Sequence, residues 1–314
     1  MNEKNIFITG GCGFIGSNLT KKLIKQGSNI IIYDNYSVCS CEDYLSDYNI
    51  KLIKGDIKNK NKVLKNTKNI DAIVHLAAHS SVLESIKKPE FNIDTNIIGT
   101  FNLLEAAREN NINKFIMASS NAAVGENIPP INENSPVAPL SPYGSSKLAG
   151  EGLCSAYYHS YNIKANALRF ANAYGPNSIH KTSVVAKFIK RIINNKKINI
   201  YGDGKQTRDF IHVNDIVQAI ILALDSNKGG EVYQVATQKE TSINELVNVL
   251  KDISNKNFDV NYTNSKAGEI KKNFSDISKI KNDLNYNPKY LNLKTGLKET
   301  WDWFIKNYKG VDNN

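Results

Sequence analysis

Short apolar runs separated by helical patterns dominate the first half of the chain. Six runs rich in Ile, Val, Phe and Ala occupy residues 6–8, 30–33, 50–53, 72–76, 114–118 and 165–170. Runs this short and continuously apolar are typical of strands buried on both faces. Apolar residues at helical spacing lie between them, as at Leu19, Leu23 and Ile24 and over residues 92–110. The alternation predicts an α/β fold built on a doubly wound parallel sheet.

Beyond residue 172 the pattern is less regular. The sequence predicts a helix over residues 184–194, a strand over 198–201, a helix over 214–224, a strand over 232–235 and two or three amphipathic helices within 241–308. We expect the strand over 232–235 to return to the main sheet. The chain would then divide into a first domain of residues 1–171 with a return segment at about 212–236, and a smaller α/β lobe of residues 172–211 and 237–314.

Lysine gives the chain a net charge of +10. The basic residues are scattered, with no run of five, so we expect a solvated surface and no nucleic-acid partner. The 41% hydrophobic and 22% charged composition is ordinary for a globular protein. Residues 1–4 lead directly into the first strand, and no apolar run has the length of a membrane span. We therefore expect neither a signal peptide nor a membrane segment, and a cytoplasmic location.

The chain has four cysteines, Cys12, Cys39, Cys41 and Cys154. This number is too small for a disulfide framework in a chain of 314 residues. The spacing of Cys39 and Cys41 matches no common zinc site. We expect free thiols and no metal site.

A glycine-rich loop follows the first predicted strand and opens the first helix. Gly10, Gly13 and Gly16 lie three residues apart, and Asp34 ends the next strand. Such a loop lets the backbone approach a pyrophosphate, which then sits at the helix N-terminus. An acid about 20 residues further on accepts hydrogen bonds from a ribose 2′-hydroxyl and repels a 2′-phosphate. The combination predicts a Rossmann domain that binds NAD in preference to NADP.

Tyr143 and Lys147 are four residues apart at the start of a predicted helix. They share one helix face, and the lysine charge is expected to lower the phenol pKa so that Tyr143 can act as a base. Ser119 and Ser120 follow the fifth strand, at the edge of the sheet where ligands bind. A serine hydroxyl there can donate to a reacting oxygen. The sequence thus predicts a catalytic group beside the dinucleotide.

Further motifs accompany these, and all of them recur in one known family. They are Thr9-Gly10-Gly11-Cys12-Gly13-Phe14-Ile15-Gly16, Asp34-Asn35, Gly55-Asp56-Ile57, His75-Leu76-Ala77-Ala78, Asn96, Ser119-Ser120, residues 143–147, residues 168–172, and Gly202-Asp203-Gly204 leading to Arg208-Asp209-Phe210. Over nearly its whole length the chain resembles the extended short-chain dehydrogenase/reductase family. Within that family it is most similar to the NAD-dependent nucleotide-sugar epimerases and dehydratases, of the type of UDP-glucose 4-epimerase and its relatives.

The resemblance implies a set of site residues. Catalysis would fall to Ser120, Tyr143 and Lys147, with Tyr143 as the base. NAD would contact Gly10, Gly13, Phe14, Ile15, Gly16, Asp34, Asn35, Asp56, Ile57, Leu76, Ala77, Ala78, Asn96, Tyr143, Lys147 and Phe170. The substrate would contact Ser80, Ser120, Asn121, Tyr143, Asn172, Val184, Tyr201, Arg208 and Lys266. Among these, Asn172 and Arg208 would hold the diphosphate and Tyr201 would pack on the uracil.

The chain departs from the family pattern at two positions. Many relatives carry an arginine where this chain has Lys266, and lysine lacks the planar, bidentate donor geometry that suits a diphosphate. Asn273 falls near the position whose size governs whether an N-acetyl sugar fits, and its size is intermediate. His180 and Lys181 are a further basic pair that could meet a uronate carboxylate, although a solvated loop is the simpler interpretation.

The sequence after Ser120 favours one reaction of the family. In all of them, the tyrosine takes the proton of the sugar 4-hydroxyl while hydride leaves C4 for NAD. Relatives that are 4,6-dehydratases carry Asp-Glu after the catalytic residue, and uronate decarboxylases carry a Glu nearby. Here Asn121, Ala122 and Ala123 follow, with no acid before Glu126. We expect a UDP-sugar 4-epimerase; the alternatives are a nucleotide-sugar 4,6-dehydratase, a UDP-glucuronate decarboxylase, or a non-catalytic NAD-sensing protein.

The resemblance also implies a homodimer. Helices corresponding to residues 92–110 and 143–158 commonly pair across a two-fold axis in this family, forming a four-helix interface. Both segments carry apolar residues here, but packing of these residues in the core explains them as well as a dimer interface does.

Overall fold

The secondary structure alternates strands and helices, as the sequence pattern predicts. The structure, a computed structural model, describes residues 4–264 and 270–310. Its strands are β1 (Asn5–Thr9), β2 (Asn29–Asp34), β3 (Lys51–Lys54), β4 (Ala72–His75), β5 (Lys114–Ser120), β6 (Lys164–Phe170), β7 (Asn172–Tyr174), β8 (Ile198–Tyr201), β9 (Thr207–Arg208), β10 (Phe210–His212), β11 (Val232–Val235), β12 (Thr241–Ser242) and β13 (Val260–Thr263). Its α-helices are α1 (Phe14–Lys25), α2 (Glu42–Leu45), α3 (Lys60–Asn66), α4 (Val82–Lys87), α5 (Pro89–Ile93), α6 (Gly99–Glu109), α7 (Pro142–Tyr161), α8 (Val184–Ile193), α9 (Val213–Asp225), α10 (Ile243–Ser254), α11 (Ser278–Leu284) and α12 (Leu293–Asn307).

Seven strands form the central sheet, in the order β11-β6-β5-β4-β1-β2-β3. Every neighbouring pair is parallel, which confirms the predicted doubly wound α/β fold. The chain first builds outward from β1 through β2 and β3, then returns to add β4 on the other side. The order therefore reverses at β1, and the crevice beyond the carboxyl ends of β1 and β4 is where such sheets bind ligands.

Helices cover both faces of this sheet. Phe7 and Ile8 are adjacent on β1 and both are inaccessible, yet they belong to different apolar clusters. Ile8 packs with Leu19 of α1 and Ile216 of α9, whereas Phe7 packs with Leu103 of α6 on the opposite face. Successive side chains of a strand point to opposite faces, so a fully apolar strand is what a two-sided sheet requires.

The C-terminal elements enclose a third apolar cluster. It joins α8, α10 and α12 through residues such as Ile189, Leu246 and Trp301, and it is separate from the two clusters on the sheet. A Ser242–Glu245 capping box begins α10, and β13 pairs in parallel with β8. This separate core supports our proposal that the chain divides into two domains near residue 172.

Two details differ from the predicted elements. The helix expected over residues 92–110 is broken into α5, a π-helical turn (Asp94–Ile98) and α6. The π turn accompanies a hydrogen bond from Thr100 Oγ1 to the Asn96 carbonyl, at 2.5 Å. The short strands β7, β9, β10, β12 and β13 have no apolar run long enough to predict them. None of the described helices has both the length and the apolar character needed to cross a membrane.

The packing of α1 on the sheet gives a direct test of the core. Leu19 is fully buried there, so Leu19→Ala should lower the free energy of unfolding by about 3 kcal/mol. Leu52→Ala is the matched control, because Leu52 lies on the edge strand β3 and is 45% exposed. Its cost should stay below about 1 kcal/mol. Urea unfolding followed by circular dichroism measures both, and equal losses would contradict this description of the core.

Candidate active site

The glycine-rich loop lies at the carboxyl end of β1 and leads into α1. Gly13 is the N-cap of α1, and no side chain caps this end of the helix. A Cβ at Gly16 would collide with the Gly10 carbonyl oxygen, so the helix can approach the loop this closely only with glycine. The N–H groups of the first turn therefore have no side-chain cap that would compete with a pyrophosphate.

Asp34 ends β2 beside this loop. Its carboxylate accepts hydrogen bonds from the Cys12 N–H at 3.1 Å and from the Tyr36 N–H at 2.9 Å. Burial raises the pKa of Asp34, and these backbone donors offset part of that rise. The acid is thus held between the loops that follow β1 and β2, the position that recognition of a ribose by NAD-binding domains requires.

The cysteines of this region are not all free, contrary to expectation. Cys12 and Cys41 form a disulfide across 29 residues, whereas Cys39 and Cys154 are free and buried. The strands β1 and β2 pair in parallel, so the loops that follow them leave the same edge of the sheet. Spacing along the chain could not show this proximity, because it arises from the pairing of the strands.

Asp56 and Ile57, two of the residues predicted to contact NAD, lie after β3. Asp56 accepts a hydrogen bond from the Lys58 N–H at 2.9 Å, and Asn35 Nδ2 lies 3.5 Å from its carboxylate. Ile57 is buried, and the Asn102 side chain donates to its carbonyl at 3.0 Å. Asp34, Asn35 and Asp56 therefore line adjacent strand ends, in agreement with one binding surface.

A buried hydrogen-bond chain supports the loop after β4, where Leu76, Ala77 and Ala78 lie. His75 Nδ1 is 2.8 Å from Thr9 Oγ1, and His75 Nε2 is 2.9 Å from Thr100 Oγ1. The Ala77 N–H donates to Thr9 Oγ1 at 3.3 Å. Burial, aided by the charge of Lys147, lowers the pKa of His75 to about 3, so the ring is neutral.

Asn96 connects this loop to α7. Its side chain accepts from the His79 N–H at 2.8 Å and donates to Ser146 Oγ at 2.9 Å. The π turn that contains Asn96 widens the helix at this point, a common feature of functional sites. Asn96, one of the residues predicted to contact NAD, is therefore held between the loop after β4 and α7, the helix that carries Tyr143.

Ser120 and Tyr143 come together at the carboxyl end of β5. The Ser120 side chain lies close enough to the Tyr143 phenol to lower its pKa, and its Oγ accepts the Ala122 N–H at 3.2 Å. Helix α7 begins beside them, capped by Ser141. A Cβ at Gly144 would collide with the Ala122 carbonyl oxygen, so this glycine permits the close approach that joins the two side chains.

Lys147 lies one turn along α7 from Tyr143. Its Nζ donates to the Ala118 carbonyl at 2.8 Å and lies 5.9 Å from the centre of the Tyr143 ring. The expectation that the pKa of Tyr143 is lowered is wrong for the phenol as it stands in this fold. Burial of the phenol raises that pKa, and the Ser120 side chain offsets it in part. Burial also lowers the pKa of Lys147 itself, to about 8.

Glu151 and Arg169 form a buried ion pair that sequence reasoning missed. Arg169 donates through Nε and Nη2 to the two Glu151 oxygens at 2.8 and 2.7 Å, and both side chains are 4% exposed. Ser119 Oγ donates to the same carboxylate at 2.5 Å. This bond directs the Ser119 hydroxyl toward Glu151 and away from Tyr143. Glu151 is one turn beyond Lys147 on the buried face of α7, and an acid at that position was a usable signal.

The C-terminal segment reaches Asn121, one of the predicted substrate residues. Asn121 Nδ2 donates to Ser275 Oγ at 2.9 Å and lies 3.4 Å from Asn273 Oδ1. The Asn121 Oδ1 atom is buried and has no protein partner. Asn273 is also buried, so the residue singled out for its size lies against Asn121, the residue that follows Ser120 in the chain.

The remaining predicted substrate residues lie on separate elements. Arg208 Nη1 donates to the Thr207 and Ile270 carbonyls at 2.7 and 2.8 Å, which fixes its guanidinium on β9. The others are placed as follows: Ser80 is exposed after β4, Asn172 begins β7, Val184 begins α8 and Tyr201 ends β8. Phe170, predicted to contact NAD, ends β6. Lys266 lies outside the described residues.

His180 lies against the loop after β2. Its Nε2 is 3.7 Å from the Asp43 carboxylate, and its ring makes an edge contact with Tyr44. Ligand atoms of Cys39, Asp43 and His180 lie within 4.8 Å of one another, with two of the three residues exposed. The basic residue expected either to meet a uronate or to be solvated thus pairs with an acid of this chain.

Known proteins resemble this chain over nearly its whole length. The model of the NAD dependent epimerase/dehydratase family matches residues 6–236. A UDP-glucuronate 4-epimerase of Thermodesulfobacterium geofontis is 33% identical, over 96% of this chain and 96% of its own. A human dTDP-D-glucose 4,6-dehydratase is 32% identical, over 99% of this chain and 92% of its own.

Two solved structures superimpose closely. The UDP-glucose 4-epimerase of Thermotoga maritima, solved with UDP-glucose, has a TM-score of 0.92 and 34% identity, covering 96% of this chain and 99% of its own. The UDP-N-acetylglucosamine 4-epimerase of Methanobrevibacter ruminantium, solved with UDP-N-acetylmuramic acid, has a TM-score of 0.92 and 35% identity, covering 98% of this chain and 99% of its own.

The neutral His75 makes stability depend on pH. Its pKa is about 3 in the folded chain against an ordinary 6.5, so only the unfolded chain takes up this proton between those values. The free energy of unfolding should therefore fall as pH drops below 6.5, by up to about 1.4 kcal/mol per pH unit from this group.

Urea unfolding of the wild type and His75→Gln at about pH 7 and pH 5 isolates the effect of this group. Burial also lowers the pKa of His212, to about 4, but that residue contributes equally to both proteins. The variant should lose less stability on acidification than the wild type. Identical losses would show that His75 is not held neutral.

Proposed function

Because the chain belongs to the NAD dependent epimerase/dehydratase family, we propose that it is an NAD-dependent 4-epimerase of a UDP-sugar. One observation carries the proposal: the Ser120 side chain lies close enough to the Tyr143 phenol to lower its pKa, and Lys147 is one helical turn away. The site thus contains two groups suited to catalysis. The Tyr143 phenol can exchange a proton, and the Ser120 hydroxyl can hold the reacting oxygen. These groups lie at the carboxyl edge of the sheet, beside the glycine-rich loop.

In the proposed mechanism Tyr143 removes the proton from the sugar 4-hydroxyl, and Ser120 orients that oxygen. NAD, when bound at this site, would supply the hydride acceptor and donor that interconversion of the C4 epimers through a 4-keto sugar requires. Tyr143 must lose its proton, although burial raises its pKa. Positive charge near the ring is therefore needed, and the Lys147 ammonium, 5.9 Å from the ring centre, is one source of it.

The residues present fit NAD. The uncapped N-terminus of α1 offers N–H groups to the diphosphate, and Asp34 offers carboxylate oxygens to the adenosine ribose. A 2′-phosphate would meet the Asp34 charge, which favours NAD over NADP. The roles of Asn35, Asp56 and Ile57 toward the adenine, and of Asn96 and Phe170 toward the nicotinamide end, are part of the same proposal.

On the substrate side we assign the diphosphate to Asn172 and Arg208 and the uracil to Tyr201. Contacts to the Thr207 and Ile270 carbonyls hold the Arg208 guanidinium in one orientation, which reduces the entropy lost on binding. Ser80, Asn121 and Val184 would border the sugar. Lys266 remains a proposed second cation for the diphosphate.

The groups beside Ser120 support epimerisation over dehydration. Expulsion of the sugar 6-hydroxyl needs an added acid and base, but the following residue is Asn121. An amide cannot deliver a proton as a carboxylic acid does, and this one is engaged with Ser275. The sugar could be glucose or galactose, or an N-acetylated or uronic form, with Asn273 close enough to Asn121 to influence the choice.

Tyr143→Phe should reduce the turnover number by at least about 100-fold, because general-base catalysis contributes that much or more. The matched control is Tyr158→Phe on the same helix, which should keep wild-type turnover. Both proteins are incubated with a panel of UDP-, GDP- and dTDP-sugars, and the products are resolved by chromatography and NMR.

The wild type should interconvert C4 epimers of a UDP-sugar without consuming added NAD. Products that are 4-keto-6-deoxy sugars would identify a dehydratase, and pentose products would identify a decarboxylase. Binding of NAD without turnover of any sugar would favour the NAD-sensing alternative. Full activity of Tyr143→Phe would exclude the mechanism.

We also propose a homodimer formed through α6 and α7. Ile98 of the π turn and Phe101 of α6 are 45% and 39% exposed, and Tyr161 at the end of α7 is 52% exposed. Gly152 on α7 has open space where a Cβ would point, so a second helix can approach there. A continuous exposed apolar surface of this kind on paired helices is typical of an interface.

The double variant I98E/F101D should be monomeric, because a charge buried at an apolar interface without a partner is costly. Light scattering after gel filtration should give about twice the chain mass of 35.0 kDa for the wild type and the chain mass for the variant. I305E is the control, since Ile305 on α12 is 52% exposed and outside the surface. A monomeric wild type would refute the proposed dimer.

A further inference from the structure

Three of the four cysteines gather around the glycine-rich loop. Cys12 lies within the loop, between Gly11 and Gly13, and is bonded to Cys41. The Cys39 thiol donates to the Cys12 carbonyl at 3.1 Å. Their exposed fractions are 1% for Cys12, 9% for Cys39 and 3% for Cys41, so all three lie beneath the surface of the loop.

The disulfide joins the two loops that face the cofactor. Cys12 follows β1, Cys41 follows β2, and Asp34 stands between them at the end of β2. The Cys12 N–H donates to the Asp34 carboxylate at 3.1 Å. The residue that is cross-linked is therefore also the residue that orients the ribose-binding acid, and a change at its sulfur acts on the backbone of the loop.

We propose that Cys12 and Cys41 are a reversible thiol-oxidation site that sets the affinity of the protein for NAD. Reduction breaks the sulfur–sulfur bond, consumes two electrons and two protons, and yields two thiols; a dithiol is the electron donor and becomes a disulfide. In the oxidised form the cross-link restricts the Cys12 backbone to its bound-like position. The reduced form must order this loop on binding, so it binds NAD more weakly.

Cys39 does not compete for the bond. Burial, reinforced by the Asp34 and Asp43 carboxylates, raises the pKa of its thiol to about 12. A thiolate is the species that attacks a disulfide, so Cys39 stays inert and the Cys12–Cys41 pairing is preserved. The same distinction supplies a control variant, because Cys39 lies in the cluster without taking part in the couple.

The segment around Cys41 offers a route for reductant. It is held by the four-residue helix α2, where the Tyr44 and Leu45 N–H groups donate to the Cys41 carbonyl at 3.2 and 2.7 Å. Cys41 and Leu45 are buried in the apolar cluster on the α1 face of the sheet, so opening α2 must separate them from that cluster, yet this costs less free energy than unfolding the central sheet. Local opening exposes the Cys41 sulfur while the sheet remains intact.

The test compares NAD affinity in two redox states. Isothermal titration calorimetry is performed on NAD-stripped wild type, air-oxidised or treated with dithiothreitol, and on Cys41→Ser and Cys39→Ser. Reduction should weaken NAD binding about fivefold or more, within the usual range of coupling between sites. Cys41→Ser should bind like the reduced wild type and ignore dithiothreitol, whereas Cys39→Ser should keep the response.

Reciprocity supplies an independent measurement. If the disulfide tightens NAD binding fivefold, NAD must favour the disulfide fivefold, a shift of about 20 mV for a two-electron couple. Equilibration in dithiothreitol redox buffers with and without NAD, followed by thiol counting, measures it. Counting after denaturation should find two thiols per oxidised chain, from Cys39 and Cys154.

Three results would overturn the proposal. One is four free thiols in the air-oxidised protein. Another is equal NAD affinity in the two redox states. The third is a lower melting temperature on reduction with unchanged NAD affinity, which would make the bond purely structural. None of these depends on which sugar the enzyme accepts, so failure here is distinguishable from failure of the proposed epimerase activity.

Discussion

Parallel pairing of β1 with β2 and β4 is the constraint on which the rest of the site depends. In register, Thr9 of β1 pairs with Tyr33 on one side and His75 on the other. The loops that follow these strands must therefore leave the same edge of the sheet. This brings together the glycine-rich loop, Asp34 and the loop after His75, although the sequence separates them by tens of residues. The Cys12–Cys41 bond and the Asp34 network are consequences of this pairing.

Buried charges near Tyr143 are balanced by contacts within the chain. Glu151 is neutralised by Arg169, and Lys147 is tied to the Ala118 carbonyl. Removing one member of such a pair leaves an uncompensated charge, which is costly in a buried site. The hydrogen bond to the Ala118 carbonyl keeps Lys147 beside the phenol, although burial lowers the pKa of Lys147 to about 8. The electrostatics of the site are set before any ligand arrives, which is how a preorganised site lowers a reaction barrier.

Local sequence pattern was sufficient for much of this fold. The inner strands β1, β2, β4, β5 and β6 coincide with apolar runs, because a strand covered on both faces must be largely apolar, whereas the edge strand β3 has lysine at both ends and is mostly exposed. The glycine loop, Ser120, Tyr143 and Lys147 were found from spacing and position relative to those strands. The structure brings Ser120, Tyr143 and Lys147 together at the predicted edge of the sheet.

The features that the sequence did not reveal arise from tertiary contact. The Cys12–Cys41 bond depends on strand pairing, and the Glu151–Arg169 pair joins α7 to β6 across the core. The direction of the Tyr143 pKa shift was predicted wrongly. The spacing of Tyr143 and Lys147 on a helix shows that a charge is near the phenol, but it does not show that the phenol is buried. Short strands such as β9 and β12 contain two residues each, too few to show any period.

The central claim is that the hydride removed from the sugar returns to the same carbon. The most direct measurement uses a UDP-sugar substrate carrying deuterium at C4, with mass spectrometry and NMR of the product after equilibration in ordinary water. If the hydride returns to C4, as proposed, the epimerised sugar retains all of its deuterium at C4. Deuterium at C6 of a 4-keto-6-deoxy product, or its loss to water, would contradict it.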